Sequence, residues 1–249
     1  MISILCPTRK RLAEFNRMLQ SIHDTAARAM AIEVVGYLDE DDETNYEQLA
    51  KYVPGLGKFN GAIRLTLIRG KRIVLSNMWN KCAAAASGDI FMQGNDDIVF
   101  RTKAWDVLVE KEFAKVPDRI LMVHGNDGSG GASGEKGIFA VHPFVSRKWY
   151  EVLGYVTAPY FASDFGDTWI NHIANAIDRR RYVPIVIEHM HYWWGKMPLD
   201  GNTEDRLKRH SDDNVELLYR NLGPLRAIDV EKMEAAIERA MVNSSSDAA

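Results

Sequence analysis

The stretch Gly88-Asp89-Ile90-Phe91-Met92-Gln93-Gly94-Asn95-Asp96-Asp97-Ile98-Val99-Phe100 joins a short apolar strand to two adjacent carboxylates, after which the chain turns apolar again. Two aspartates at the carboxyl end of a buried strand repel each other and are costly to desolvate. A divalent cation that also grips a phosphate compensates such a pair, because hard cations take oxygen ligands. An acidic turn between two elements is the plainer alternative. The other apparent strand ends are polar too: Pro7-Thr8-Arg9, the acidic run Asp39-Glu40-Asp41-Asp42-Glu43, and Arg69. Four polar strand ends facing one crevice say more than any one of them.

The elements that must position these residues alternate. Met1–Cys6 is a short apolar strand that Pro7-Thr8 is expected to stop. Leu12, Phe15, Leu19 and Ile22 have helical spacing over Leu12 to about Ala29. Ala31–Leu38 is a second strand, and a short helix near Tyr46–Tyr52 ends at Pro54 and Gly55. Ile63–Ile68 alternates as a third strand, and Ile73–Ala86 is an alanine-rich helix leading into the acidic stretch. Strands separated by helices predict a parallel sheet with crossovers, whose ligand sits beyond the carboxyl ends of the strands.

The second half is less regular. A helix over Ala104–Ala114, a strand over Arg119–Val123, a glycine-rich loop over Asn126–Gly137 and a strand over Ile138–His142 are expected. Ser146 caps a helix reaching Val152, Gly166–Ile177 is helical, and Pro184–Glu188 is a strand running into His189-Met190-His191. Helices near Thr203–Leu222 and Asp229–Met241 follow, and the residues from Asn243 read as a frayed tail. No linker separates independent domains, and there are no repeats.

With 249 residues, 46% hydrophobic and 26% charged, the chain has ample material for a core. A net charge of −3 gives no global basic field for nucleic acid. Local basic runs (Arg9-Lys10-Arg11, Arg69 to Arg72, Arg179-Arg180-Arg181, Arg206 to Arg209) read first as solvated faces and second as sites for a phosphate-rich ligand. Cys6 and Cys82 read as buried free thiols. No apolar run reaches membrane-spanning length and no signal-peptide core is visible, so a cytoplasmic, soluble protein is expected.

In the order and spacing of its motifs the chain resembles the family 2 glycosyltransferases of the GT-A fold over roughly residues 1–195. Ser3-Ile4-Leu5-Cys6-Pro7-Thr8-Arg9 is similar to the family's first strand ending in Pro-Thr. Asn77, Ala83–Ala86 and Gly88–Met92 are similar to the helix and strand before its Asp-x-Asp motif. Ser163–Trp169 is similar to the acidic segment that supplies the acceptor base, and His189-Met190-His191 to the late histidine that joins the metal. One departure stands out. The place where an aspartate usually opens the Asp-x-Asp motif is Gly94, so its second acid maps onto Asp96, with Asp97 beside it.

The resemblance implies an α/β, GT-A-like fold with a Rossmann-type, mostly parallel sheet flanked by helices and followed by C-terminal helices. Residues 1–100 would be the nucleotide-sugar-binding half, 101–200 the acceptor-binding half of the same domain, and 201–249 a helical extension with a flexible tail. The implied activity is metal-dependent, inverting sugar transfer from a nucleotide donor, a UDP-sugar first, to an acceptor hydroxyl. Asp96 or Asp97 would hold Mn2+ or Mg2+ with His191 as a further ligand, the imidazole favouring manganese. Asp167 is the first choice for the base and Asp164 the second, and capping of a helix is the alternative for both. Thr8, Arg9, Asp39, Asp41, Arg69 and Asn95 would line the donor pocket, and Lys196 would meet the diphosphate as a point charge. Trp193 and Trp194 stack on a ring or, by slight preference, pack in the core.

The acceptor stays open: a surface glycan, a lipid-linked sugar, or a hydroxymethylated DNA base if the chain is a phage enzyme acting in a bacterial host cytoplasm. DNA binding would carry a strong salt dependence. Two other classes compete. Paired acids and a His-x-His element also serve a metal-dependent phosphodiester hydrolase or nuclease, although too few acids are present to place a two-metal site. A non-catalytic nucleotide-sugar binding module would tolerate loss of Asp167. Oligomeric state is not indicated.

Overall fold

The computed structural model describes residues 1–46, 49, 63–134, 137–162 and 164–246. Strands β1 (Ile2–Thr8), β2 (Ile32–Asp39), β3 (Arg64–Gly70) and β4 (Ile90–Gln93) are all parallel and lie in the order β3-β2-β1-β4. Helices α1 (Leu12–Thr25) and α2 (Leu75–Ala85) stand in the crossovers after β1 and before β4. The chain first builds outward from β1 and then returns to its other side at β4. That reversal opens a crevice at the carboxyl ends of β1 and β4, where such sheets bind ligands.

Strands β5 (Ile98–Phe100), β6 (Met122–Asn126), β7 (Phe144–Ser146) and β8 (Arg180–His189) complete an eight-stranded sheet, β3-β2-β1-β4-β7-β6-β8-β5. This half is mixed: β7 is antiparallel to β4 and β6, β5 is antiparallel to β8, and β6 runs parallel to β8. The sheet is therefore mostly parallel, as expected, but only its first half is purely so.

Helices cover both faces, which is why the central strands are apolar on both sides. Ile2, Ile4 and Cys6 of β1 pack with Phe15, Leu19 and Ile22 of α1 and with Trp105 and Phe113 of α3 (Trp105–Ala114). Leu5 faces the other way, into the core that Trp79 and Cys82 of α2 share with α4 (Arg147–Leu153), α5 (Gly166–Ala176) and α8 (Gly223–Ser246). Cys6 and Cys82 are buried free thiols, as expected.

Several boundaries differ from the sequence expectation, each for a local reason. Pro7-Thr8 does not stop β1: proline costs the strand one N–H, and the pairing with β2 continues through Pro7↔Tyr37 and Thr8↔Leu38. Helix α1 ends at Thr25 instead of Ala29, because the buried Asp106 carboxylate takes the Ala27 and Arg28 amides at 2.8 and 3.0 Å. The strand expected over Arg119–Val123 begins at Met122, after Asp118 closes a turn on the Ile120 amide at 2.7 Å. Ile138–His142 is not a strand. The Asn171 side chain captures the Ala140 amide and carbonyl at 2.9 and 2.7 Å, and the strand of this region is β7.

The single helix expected over Thr203–Leu222 is two, α6 (Gly201–Asp213) and α7 (Val215–Asn221), broken at Asn214 with φ +44°. Helix α8 starts well before Asp229 and runs to Ser246, into the segment expected to be a frayed tail, whose last three residues lie outside the described ones. The helix expected near Tyr46–Tyr52 lies largely outside the described residues. Ser146 caps α4 as expected, accepting the Trp149 amide at 3.2 Å.

Candidate active site

The carboxyl ends of β1, β2, β4 and β8 meet the starts of α5 and α6 around a cavity of about 260 Å³. The acid pair is fixed from behind. The Gly94 amide donates to the Leu5 carbonyl at 2.9 Å, and the Trp79 indole donates to the Gly94 carbonyl at 2.8 Å. A Cβ on Gly94 would stand 2.8 Å from Ile4 Cγ2 and 3.3 Å from the Leu5 carbonyl oxygen. This packing leaves no room for the aspartate that opens the Asp-x-Asp pattern. The acids at this strand end are Asp96 and Asp97. The Met190 amide donates to the Asp97 carbonyl at 2.8 Å, which lays the end of β8 against the pair.

Asp96 and Asp97 are both buried and face the Arg11 guanidinium. Arg11, only 13% exposed, approaches Asp96 Oδ1 at 3.2 Å and Asp97 Oδ2 at 3.6 Å. His189 Nε2 lies 3.4 Å from Asp97 Oδ1, an oxygen that has no hydrogen-bond partner of acceptable geometry. Burial pushes the Asp96 carboxyl up, helped by the neighbouring Asp97 charge and opposed by Arg11. Burial also acts on Asp97, but His189 and Arg11 outweigh it and hold that carboxyl below its ordinary range. The pair therefore keeps one charge more readily than two.

The donor atoms fit a divalent cation in kind: two carboxylates, one with an orphaned buried oxygen, and an imidazole beside it. Among the described residues no three His, Cys, Asp or Glu side chains converge into a finished ligand cage, and Arg11 sits on the pair. His189, not His191, stands against Asp97. The His191 Nδ1 accepts the Trp193 amide at 3.3 Å and its Nε2 lies 3.4 Å from Arg206. The two rings are 4.9 Å apart and share one side, as their spacing implies. Burial and the neighbouring His189 push His191 down to about 4.

The two candidate bases differ. Asp164 is paired with Arg206 at 2.8 Å. Asp167 lines the cavity in the first turn of α5, its Oδ1 accepting the Thr168 amide at 2.7 Å. Among the described residues no cation pairs with it. Burial, with the Asp164 charge nearby, pushes its carboxyl up to about 6.

Among the donor-pocket candidates, Thr8, Arg9, Asp39 and Asn95 line the cavity. Asp39 is buried, accepts Arg9 at 3.0 Å and leaves Oδ1 unpartnered, and burial pushes its carboxyl up. Asp41 stands outside the cavity lining and clasps Arg9 from the solvent side with both oxygens. Arg69 is also outside, holding the acidic loop through the Asp42 carbonyl at 2.8 Å. Lys196 is tied to Glu188 at 2.7 Å and to the Gly128 carbonyl at 3.1 Å, away from the lining. Trp193 and Trp194 do not pack in the core: they are 75% and 53% exposed.

Arg11, Asp200, Arg206 and His142 complete the site and were not singled out by the sequence. The Arg11 fork binds Asp200 through Nε and Nη2 at 2.6 and 2.7 Å, and Asp200 caps α6 on the Thr203 amide at 3.0 Å. Arg11 thus ties the acid pair to the start of α6. His142 is buried with both ring nitrogens unpartnered among the described residues, its ring 5.0 Å from that of His189. Burial and the His189 neighbour push it down to about 3. The two arginines lie in runs expected to be solvated, and only tertiary contact distinguishes them.

No protein-family model and no curated protein sequence matches the chain. Solved structures do. The Mannosyltransferase PcManGT from Pyrobaculum calidifontis, in complex with GDP-Man and Mn2+, superposes with a TM-score of 0.59 at 13% identity, covering 98% of this chain and 75% of that one. S. aureus TarS 1-349 in complex with UDP superposes with a TM-score of 0.55 at 11% identity, covering 74% and 59%. GalNAc-T7 with UDP, GalNAc and Mn2+ gives a TM-score of 0.60 at 14% identity, covering 76% and 43%. The chain therefore spans about three-fifths of that TarS structure and less than half of GalNAc-T7. At these identities the likeness is one of architecture, and it establishes that this chain has the GT-A fold of the glycosyltransferases.

Proposed function

We propose that the chain is an inverting glycosyltransferase that moves a sugar from a nucleoside-diphosphate donor, a UDP-sugar first, to an acceptor hydroxyl with Mn2+ or Mg2+. One observation carries the reading. A single cavity at the switch point of a GT-A sheet holds a charge-compensated acid pair and, apart from it, the Asp167 carboxylate, which no cation pairs among the described residues. Such chemistry needs one acidic centre for the leaving diphosphate and another for the acceptor proton. The nucleotides and manganese named with the structural neighbours support the donor and the cation.

Asp97 and Asp96, with His189 or His191, would hold the cation. When bound, it supplies Lewis-acid stabilisation of the charge that develops on the diphosphate. Thr8, Arg9 and the unpartnered oxygen of Asp39 would meet the base and ribose. Asp167 would accept the acceptor's hydroxyl proton as that oxygen bonds to the anomeric carbon. The bond from that carbon to the diphosphate oxygen breaks on the opposite face, which inverts the configuration. A carboxyl near 6 is mostly ionised at neutral pH and still basic enough to take the proton. Residues 1–100 would serve the donor and 101–200 the acceptor. Helix α6 would cover the cavity and limit access of water.

The test is release of nucleoside diphosphate from a panel of sugar nucleotides with manganese, with and without chelator. Chelator-sensitive release from one donor, lost in an Asp96→Ala/Asp97→Ala variant, is expected. Absence of release or binding with every donor, together with cleavage of nucleic acid in the absence of any sugar nucleotide, would replace this reading with a phosphodiester hydrolase.

A further inference from the structure

Residues 192–194 form a 3₁₀ turn directly after the strand that brings His189 and His191 to the cavity. Tyr192 lines the cavity. The Trp193 ring lies 6.0 Å from Tyr192 and 5.9 Å from His191, so its indole continues the cavity wall outward. Trp193 is the most exposed of the large hydrophobic side chains among the described residues, at 75%, and Trp194 is 53% exposed. Leaving an indole in water forgoes the gain of burying it. The turn is nevertheless fixed at both ends. His191 caps it through the Trp193 amide, and Gly195, at φ +64°, closes it. Lys196 then anchors the chain to Glu188 and to the Gly128 carbonyl. An anchored turn that displays the Trp193 indole beside the cavity-lining Tyr192 and His191, with an exposed Trp194 next in the chain, is a platform for a flat-faced ligand.

An aromatic platform by itself does not discriminate, because sugar rings and nucleobases both stack on indoles. Charge does. Among the described residues six aspartates and four arginines line the cavity, with no lysine and no glutamate. Each of the four arginines already faces acid: Arg9 pairs with Asp39 and Asp41, Arg11 with Asp96 and Asp200, Arg72 with Asp205, and Arg206 with Asp164. Beside the platform, Lys196 and Arg101 both pair with Glu188. A polynucleotide needs a track of cations to meet its phosphates. Here the cations are spent on the protein's own carboxylates, and the lining carries an excess of acid.

We infer that the Trp193-Trp194 turn is the acceptor platform and that the acceptor is a neutral carbohydrate, its C–H face laid on the indoles, not a DNA base. The inference rests on the transferase reading, with Asp167 reaching the hydroxyl of the ring so placed. Uncharged hydroxyls tolerate an acidic rim and gain hydrogen bonds from it, whereas a phosphate chain, unlike a diphosphate held by a bound cation, meets only paired arginines there. The platform is a specificity device and takes no part in the bond changes.

The experiment uses the full chain with manganese and the donor found by nucleotide release. Three neutral oligosaccharides (chitotetraose, maltotetraose and cellotetraose) and a single-stranded DNA hexadecamer containing 5-hydroxymethylcytosine are compared by saturation-transfer NMR and by acceleration of diphosphate release. At least one oligosaccharide is expected to bind through its ring protons and accelerate release. Trp193→Ala/Trp194→Ala should raise its KM at least tenfold with a smaller effect on kcat, and Trp193→Phe should recover part of the loss. Because both side chains are exposed, the melting temperature reports whether the double variant still folds, and Trp193→Phe serves if it does not. Three outcomes overturn the inference: none of the three sugars binds, an oligosaccharide binds equally well to the Trp193→Ala/Trp194→Ala variant, or the DNA binds and accelerates release. Failure of the transferase reading looks different, since the wild-type chain would then release no diphosphate from any donor even without acceptor.

Discussion

At the end of β4, Asp96 and Asp97 sit against the Arg11 guanidinium at 3.2 and 3.6 Å, with the His189 imidazole 3.4 Å from Asp97. Across the same cavity Asp167 has no cation against it among the described residues, and its support is the Thr168 amide at 2.7 Å. Burial acts on all three carboxyls, and the neighbours decide the result. It lifts Asp96 against Arg11, is overcome at Asp97 and lifts Asp167 to about 6. The acid pair thus holds one fixed negative charge, at Asp97, while Asp167, like Asp96, is left able to exchange a proton near neutral pH. Two carboxylate sites tuned apart within one cavity are what separate electrostatic and acid–base roles require.

The largest expected effect comes from removing the first centre. Asp96→Ala/Asp97→Ala should cut donor turnover by at least about 10³-fold, since the stabilisation lost is worth several kcal/mol. It should also weaken donor binding, as measured by calorimetry with nucleoside diphosphate and manganese. Retained manganese-dependent donor binding in this variant would show that the pair is structural and would dissolve the comparison.

Next comes Asp167→Asn, which keeps the shape and removes the basicity. Transfer should fall by roughly 10²–10⁴-fold in kcat, with donor binding retained. The same change should stabilise the fold. The native carboxyl, near 6, holds its proton more tightly than the unfolded one, near 3.8, so stability present at acid pH is lost as pH rises through that window. The full shift corresponds to about 3 kcal/mol, and partial contact with solvent reduces the expected gain to about 1 kcal/mol at pH 7. Thermal melts at pH 4 and pH 7 check the sign: the variant should gain at pH 7 and not at pH 4. In wild-type enzyme, kcat should rise with pH through about 6, and this limb should vanish in the variant. Equal loss of donor binding in both variants would merge the two centres into one.

The sequence carries the first half of the fold because its signals there are local. Ile2, Ile4 and Cys6 alternate with Leu5 across the sheet, α1 keeps helical spacing, and four crossover-linked strands follow in order. It carries the acid pair for the same reason: adjacent carboxylates after an apolar strand stand out in a short window. The second half depends on contacts distant in sequence. Asn171 turns Ile138–His142 away from a strand across 31 residues, and Asp106 ends α1 across 79. Arg11 meets Asp200 across 189 residues, so a basic run expected to be solvated supplies the cation of the site. Gly94 could be noticed as a departure, but its cause, the contact with Ile4, needs the packing.

A smaller effect should come from Arg11→Met, which sharpens the comparison from the cation's side. Arg11 is largely buried and serves Asp96, Asp97 and Asp200 at once. Removing it leaves buried carboxylates uncompensated, at a cost of about 3 kcal/mol. Manganese that binds the pair should recover part of that loss by mass action. The expected signature is a melting temperature that falls without metal and responds to added manganese more steeply than in wild type. A metal response identical to wild type would separate Arg11 from the cation site and leave it only the task of holding α6 through Asp200.

The smallest effect belongs to Arg72→Ala. Arg72 reaches Asp205 on α6 at 2.6 Å, but both side chains are about half exposed. Exposed pairs of this kind are worth roughly 0–1 kcal/mol, because water screens them and two long side chains must be ordered. Arg11 holds the same helix from the inside, through a bidentate contact with the residue that caps it. Arg72→Ala should therefore shift stability by less than about 0.5 kcal/mol, a loss that added salt reproduces in wild type. Since Arg72 also lines the cavity, nucleotide affinity should fall less than about tenfold, far less than for the acid pair. A loss of stability above about 1 kcal/mol would mean that α6 is fastened at its rim. Coupling between the acid pair and the cover of the cavity would then run through Arg72 and Asp205 instead of through Arg11.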